Sequence, residues 1–406
     1  MMTIRTSLLV FAFFMSVSNY GYCAEISAIF QANWLTTDGH ISWQEKGTGI
    51  LRDGQSGVNL QQAALHITQD IGADFGVDLV ANYYHDGEQH LGLTQAQIIY
   101  MPLSQKPYRF RARAGFFYPK MSLENVDAAW LSPYTYTQSA INSWIGEELR
   151  TAGLEFSVVI PGRIRNSAWS WQLHVAGFKS NDTIGAMLSW RGFAMHDRQS
   201  LHNDRVEFAR YPSVISQEGL DHPSWTESFH ELDGRTGYYL GLHIDYYKRS
   251  SLRYYFYDNQ ADPLAINDLR LYGWRTKFHS LALQHKFSNT TRMIAQGLKG
   301  STLMGGRFVY VDYEAWYLML SHKIDKHRIS VRYDHFDVDE DDIFVFDPNN
   351  SDGHGLTAAW RYNWKPNWQL GLEWHKNQSH ADNRALLSQP LRFAQQQAMA
   401  VLQYRW

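Results

Sequence analysis

The sequence predicts an all-β chain closed into a transmembrane antiparallel barrel of about sixteen strands. Three observations predict it. Apolar and polar side chains alternate with a period of two in segment after segment, which is the strand period. The connections alternate between tight turns and long loops. The composition is rich in aromatics (15%, with 24 Tyr and 15 Trp) yet polar on average, with 19% charged residues and a mean hydropathy of −0.41. A chain can be polar on average and still sit in lipid if only every second residue faces it.

The alternation begins with Ile26, Ala28, Phe30, Ala32 and Trp34 against Ser27, Gln31 and Asn33. Further segments centre on 58–70, 74–85, 91–102, 108–118, 151–160, 167–180 and 235–248. The remainder are 251–258, 269–286, 290–299, 307–323, 327–336, 354–365, 367–376 and 392–406, of which 251–258 and 290–299 are the least regular. After even segments the chain reverses in a few residues, as at Asp70-Ile71-Gly72-Ala73, Ser104-Gln105-Lys106-Pro107, Pro161-Gly162-Arg163, Ser288-Asn289, Asp325-Lys326 and Lys365-Pro366. Gly, Pro, Asn and Asp supply the backbone geometry of such turns. After odd segments the links are mostly long, about thirty residues at 119–150 and over fifty at 180–234. Short periplasmic turns and long extracellular loops are the plan of outer-membrane barrels.

Sixteen strands enclose an interior too wide for strand side chains to fill. The apolar face is therefore expected to meet lipid and the polar face to line water. Beyond residue 24 there is no run of 18 apolar residues, so no transmembrane helix is expected.

Residues 1–24 carry a single charge, Arg5, then the apolar run Leu8–Val17 and a turn-prone Ser18-Asn19-Tyr20-Gly21, the pattern of a cleaved secretory signal. The barrel then occupies 25–406. Cys23 leaves with the signal, so no disulfide is expected. The remaining chain has 36 basic and 40 acidic residues, net −4, which with export argues against a nucleic-acid partner. The last strand, 393–406, ends on Tyr404-Arg405-Trp406. A terminal strand closing on an aromatic residue resembles the signal by which the barrel-assembly machinery recognises its clients in the outer membrane of Gram-negative bacteria.

Arg109, Arg111 and Arg113 alternate with Phe110, Ala112 and Ala114 and are expected to form a basic ladder inside the barrel, about 7 Å apart. Such a ladder favours anions. Alternatively, it pairs with acids of an inward loop and holds that loop. Arg253, Arg275, Lys277 (with His279), Arg328 and Arg332 are further lumen candidates, opposed by Asp78, Glu155, Asp245, Asp312, Glu314 and Glu373. The third loop, 119–150, is the expected constriction, with Lys120, Glu124, Asp127, Glu147 and Glu148. It holds Trp130, Tyr134, Tyr136 and Trp144, and exposing so many large rings is unfavourable. Folding into the barrel buries them; packing against a neighbouring subunit is the alternative.

The stretch 113–125, RAGFFYPKMSLEN, resembles the strand-to-loop passage of the phosphate-selective porins O and P. Residues 132–148, Trp190-Arg191-Gly192-Phe193 and His196-Asp197-Arg198 resemble a less characterised branch of that superfamily. The resemblance covers about 108–200 and implies a trimeric sixteen-stranded porin with its third loop inside. Phosphate selectivity is not implied, because that specificity uses a lysine cluster in the loop and Lys120 stands alone here.

No cofactor or metal is expected. His196, His202, His222 and His230 in the fourth loop lack ligand spacing. The acidic run from Asp334 to Asp342 has Asp342 where a calcium loop needs Gly, and Pro348 where it needs Glu. It is read as a solvated loop bridging lipopolysaccharide. No catalytic constellation is found. The expected function is passive diffusion of small hydrophilic solutes, with a lean toward anions; the alternative is a non-conducting structural or adhesive barrel.

Overall fold

A computed structural model describes residues 24–104, 106–215 and 222–406; the expected secretory signal, with its cysteine, lies outside these apart from residue 24. The first seven strands are β1 (Glu25–Thr37), β2 (Gly57–Ile71), β3 (Phe75–Tyr83), β4 (Leu91–Tyr100), β5 (Arg109–Phe117), β6 (Thr151–Ile160) and β7 (Trp169–Lys179). Two short strands, β8 (Arg205–Glu207) and β9 (Trp225–Glu227), pair with each other inside the fourth loop. Then come β10 (Gly237–Tyr246), β11 (Ser250–Asp258), β12 (Trp274–Lys286), β13 (Thr291–Met304) and β14 (Val309–Ile324). The last four are β15 (His327–Glu340), β16 (Ser351–Lys365), β17 (Trp368–Ala381) and β18 (Arg392–Arg405).

β1–β7 and β10–β18 form one closed antiparallel barrel in chain order, β7 pairing directly with β10. Every expected segment is a strand. Closure joins β1 to β18 from Ile29↔Arg405 to Thr37↔Gln397, and reciprocal backbone bonds link Ala28 and Trp406 at 3.0 and 2.9 Å. A closed ladder leaves no edge, the condition for spanning lipid with strands. Phe110, Phe156, Val175, Leu318 and Leu372 point outward and are 47% to 59% exposed. A contiguous apolar girdle of this kind is tolerated only against hydrocarbon.

The wall is uneven in height. The nine residues of β3 or β5, at about 3.4 Å each and tilted about 45°, rise roughly 21 Å, less than the apolar band of about 25 Å. The sixteen residues of β14 rise roughly 38 Å on the same estimate. On the tall side, β12–β18, the outward face therefore continues above the lipid, and there it turns polar.

This corrects two expectations. Arg275 and Lys277, with His279, share the outward face of β12 with Leu281 and Leu283, while Trp274, Thr276 and Phe278 face in and are buried. Asp312 and Glu314 likewise face out on β14; Lys299 pairs with Glu314 at 3.0 Å on that outer surface. Polar residues mark the lumen only at lipid depth. Above it, water is outside. The acidic run is also not a loop up to Glu340. It is the upper part of β15, with Asp334 buried inside and Asp337 and Asp339 on the outer face.

The loops named below are L1 (38–56), L2 (84–90), L3 (118–150) and L4 (180–236). L3 folds into the barrel as expected. The described parts of L4 do so too, which the sequence does not lead one to expect, and the two fill much of the interior that strand side chains cannot. One apolar cluster joins Trp144 of L3 and Trp190 and Phe193 of L4 to the wall residues Phe278, Tyr313 and Phe336.

Candidate functional site: the lumen and its inward loops

L3 contains a nine-residue helix, α1 (Ala140–Glu148), every residue of which is buried. Ser139 caps it by accepting from the Asn142 amide at 3.2 Å, which satisfies one of the free N–H groups of the first turn. Trp144 lies 5.4 Å from both Phe278 and Tyr313, in the edge-to-face arrangement that aromatic quadrupoles prefer. L4 contributes α2 (Ala186–Arg191), which has no side-chain cap of its own. Its N-cap, Gly185, sits at φ 103°, and a Cβ there would collide with Thr302 Oγ1 and come within 2.7 Å of Thr276 Oγ1. Glycine is needed for both the backbone and the approach to the wall.

Four buried or half-buried carboxylates of L3 tie the plug together. Glu124 accepts from Arg332 at 2.7 Å. The Arg332 guanidinium also reaches Asp334 (2.7 Å), Thr135 Oγ1 (2.9 Å) and the carbonyls of Thr137 (2.7 Å) and Gln138 (2.8 Å). Arg332 therefore faces the lumen but is wholly consumed in holding L3. Glu373 on β17 assists by accepting the Tyr136 and Thr137 amides at 2.6 and 2.8 Å. Asp127 is bridged by Arg405 of the closing strand at 2.9 and 2.5 Å.

The other two carboxylates join L3 to L4. Glu147 takes both forks of Arg191 at 2.7 Å and lies 2.8 Å from His196 Nε2. Burial opposes its ionisation, but Arg191 and His196 win and hold it down at about 2. Glu148 instead has no cation paired with it among the described residues. It accepts from Trp144 Nε1 (2.6 Å) and the amides of Gly185 (3.2 Å), Met187 (2.9 Å) and Leu188 (3.3 Å). A carboxylate from another loop thus caps α2, meeting the free N–H groups of its first turn. Burial nevertheless pushes it up to about 7, from 4.5.

A pH dependence follows. Between 4.5 and about 7 the docked Glu148 holds more protons than a solvated one, so docking weakens as pH rises through that window, by about 3 kcal/mol in all. Trp144 fluorescence should therefore show tighter L3–L4 packing at pH 5 than at pH 8. Glu148→Gln should flatten the profile; an unchanged slope in that variant would assign the titration elsewhere.

L1 and L2 are bound into the same network. Arg52 bridges Asp86 and Asp197, each at 2.7 Å.

Below the plug two cavities remain. One, of about 530 Å³, lies between L3 and β2–β11 and is lined by Arg111, Arg113, Lys120 and Arg253, with His66, Asp78 and several Gln. The basic ladder faces this side of the wall, but its three members differ. Arg113 is buried and bidentate to Glu155 at 2.9 Å, with Phe117 beneath it at 3.9 Å. Arg109 and Arg111 are half-buried and have no carboxylate partner among the described residues. Arg253 is paired with Asp245 at 3.0 Å. Lys120 opens to this cavity, yet the surrounding wall desolvates it and Arg113 and Arg111 repel it, so its amine is pushed down to about 8.

The second cavity, of about 510 Å³, opens at the short-turn rim and is lined by Asp127, Lys326, Arg328, Arg361, Asn363, Lys365, Gln369 and Arg405. Of these, only Asp127 and Arg328 stand out as site candidates in the sequence. Lys326 and Lys365 lie at turns, where alternation carries no information about facing.

The histidines of L4 have separate neighbours. His196 serves Glu147, His222 packs edge-on to Trp190 at 4.4 Å and His230 faces Glu227 at 3.5 Å. Asp182, Glu231 and Asp233 bring three oxygens within 4.8 Å of one another. Each accepts a nearby backbone amide, from Leu232, Ser180 and Arg235 respectively, so the trio clasps the loop's base.

No family model matches the sequence and no curated protein is similar to it. Solved structures share its fold. A loop-deletion form of OmpT, an outer-membrane protein of Vibrio cholerae, superposes with a TM-score of 0.55 at 7% identity over 95% of this chain and 99% of that one. The outer-membrane channel DcaP of Acinetobacter baumannii gives 0.55 at 10% identity, over 96% and 98%. An anion-selective porin from Comamonas acidovorans gives 0.50 at 11% identity, over 95% and 100%. At these identities the likeness is one of fold: a porin-like outer-membrane barrel.

Proposed function

We propose that the chain is a porin-type, non-enzymatic channel in the outer membrane of a Gram-negative bacterium, passing small hydrophilic solutes and favouring anions. The observation that carries this reading is a set of cations, Arg109, Arg111 and Lys120, with no carboxylate salt bridge among the described residues, inside a closed, lipid-girdled barrel. L3 and L4 narrow the path, so the channel is a restrictive one. The resemblance to phosphate-selective porins fits this function, though one loop lysine gives phosphate no special place. Assembly through the C-terminal strand and a homotrimeric state belong to the same reading, as does contact of the charged outer collar with lipopolysaccharide.

Planar-bilayer conductance with reversal potentials in a salt gradient tests it. At about 7 Å and water-like dielectric each cation attracts a passing monovalent anion by about 0.6 kcal/mol, so three partly screened cations amount to roughly tenfold in anion preference. Arg109→Gln/Arg111→Gln/Lys120→Gln, which spares the structural Arg113, should erase most of that preference while leaving conductance. If no discrete channels form at all, the barrel is a structural or adhesive one instead.

A further inference from the structure

The cavity at the short-turn rim has a composition that the channel reading does not require. Lys326, Arg328, Arg361, Lys365 and Arg405 surround it, against the single carboxylate of Asp127, which Arg405 already occupies. Arg361 is the telling member. It is 3% exposed, stacks on Tyr136 at 4.1 Å and gives Nη1 to the Ser132 carbonyl at 2.5 Å. Its Nε has no partner, and no carboxylate pairs with it among the described residues. Arg328 reaches Ser321 Oγ at 2.9 Å and lies over the Tyr134 ring at 5.2 Å. A buried guanidinium left without a counter-charge is expensive, and four uncompensated cations around one cavity repel one another.

We propose that this cavity is a binding site for a compact polyanion, a molecule with two or more phosphate or carboxylate groups, entered from the periplasmic side. The forked donors of Arg361 and Arg328 match the paired oxygens of such groups, while Lys326 and Lys365 act as point charges at the opening. The volume of about 510 Å³ accepts more than a single halide, and Arg405 can exchange Asp127 for a ligand oxygen. A bound anion would then compete with the contacts that Arg361 and Arg405 make to L3. The inference depends on the barrel's orientation in the membrane and not on whether it conducts.

Isothermal titration calorimetry on the folded, detergent-solubilised protein tests it, with pyrophosphate and citrate as probes at fixed ionic strength. Heat from either probe, saturating at one per barrel, is expected; which one binds tighter distinguishes phosphate from carboxylate. Lys326→Gln/Lys365→Gln alters only the turn residues at the opening and should weaken binding about tenfold, the loss of two charge-assisted contacts. Arg111→Gln/Lys120→Gln, in the other cavity, should change it less than about twofold. Absence of heat with both probes overturns the proposal. So does full affinity in the turn variant, or a loss in the lumen variant as large as that in the turn variant. A barrel that binds but shows no conductance would sink the channel reading and leave this one standing.

Discussion

Replacing Arg332 with alanine is expected to release L3 from the barrel wall, the largest single effect the lumen offers. The substitution strands Glu124 and Asp334, both fully buried, and leaves the Thr137 and Gln138 carbonyls without their donor. Removing one partner of such a buried network costs about 3–5 kcal/mol. L3 should become cleavable by added protease in the folded barrel, and channel conductance should rise. Arg332→Lys should rescue little, because one ammonium cannot replace a planar fork spread over six acceptors. Unchanged protection and conductance in both variants would mean that the aromatic contacts of Trp144, rather than this network, hold the loop.

Arg191→Ala, compared in a Glu148→Gln background that removes the Glu148 titration, is expected to invert the acid response of the L3–L4 junction. In the native protein Glu147 is held near 2. A carboxyl depressed in the folded state contributes stability above its solvated value, near 4.5, and that contribution is lost as pH falls through the folded-state value. Acid below that solvated value therefore loosens the Glu147 clamp. Without Arg191 only His196 faces the carboxylate, and burial raises the pKa instead of merely opposing a fall. The variant's junction should then be weak at pH 7, by about 2–4 kcal/mol, and should tighten on acidification until Glu147 is protonated. Near-ultraviolet circular dichroism of Trp144 and Trp190 from pH 3 to 8 would read this. Parallel pH profiles with and without Arg191 in that background would refute the clamp.

Much of the barrel is legible in the sequence because its information is local. Alternation over nine or more residues sets strand identity and facing, and short Gly- and Asp-containing turns set which rim is which. Even the less regular segments, 251–258 and 290–299, are strands. Site residues are less legible. Period two gives the facing of Arg109, Arg111, Arg113, Arg253, Arg328 and Arg332, but not their partners. Arg113 and Arg332 look like neighbouring pore cations in sequence and are in fact cross-links to Glu155 and Glu124. The aromatic argument that places L3 inside applies equally to Trp190 and Phe193 of L4, so a signal for the second inward loop is present in the sequence.

Alone, the chain's residue order determined a closed, lipid-facing barrel with an inward third loop, because lipid imposes one rule on every second side chain. Tertiary structure decided where that rule stops. Above the bilayer Arg275 and Lys277 face water outside while Phe278 is buried against Trp144 inside, since the loops, arriving from 33 and 57 residues of intervening chain, pack part of the upper lumen. Which cations stay free to meet a solute depends on those long-range contacts, and no local pattern encodes them.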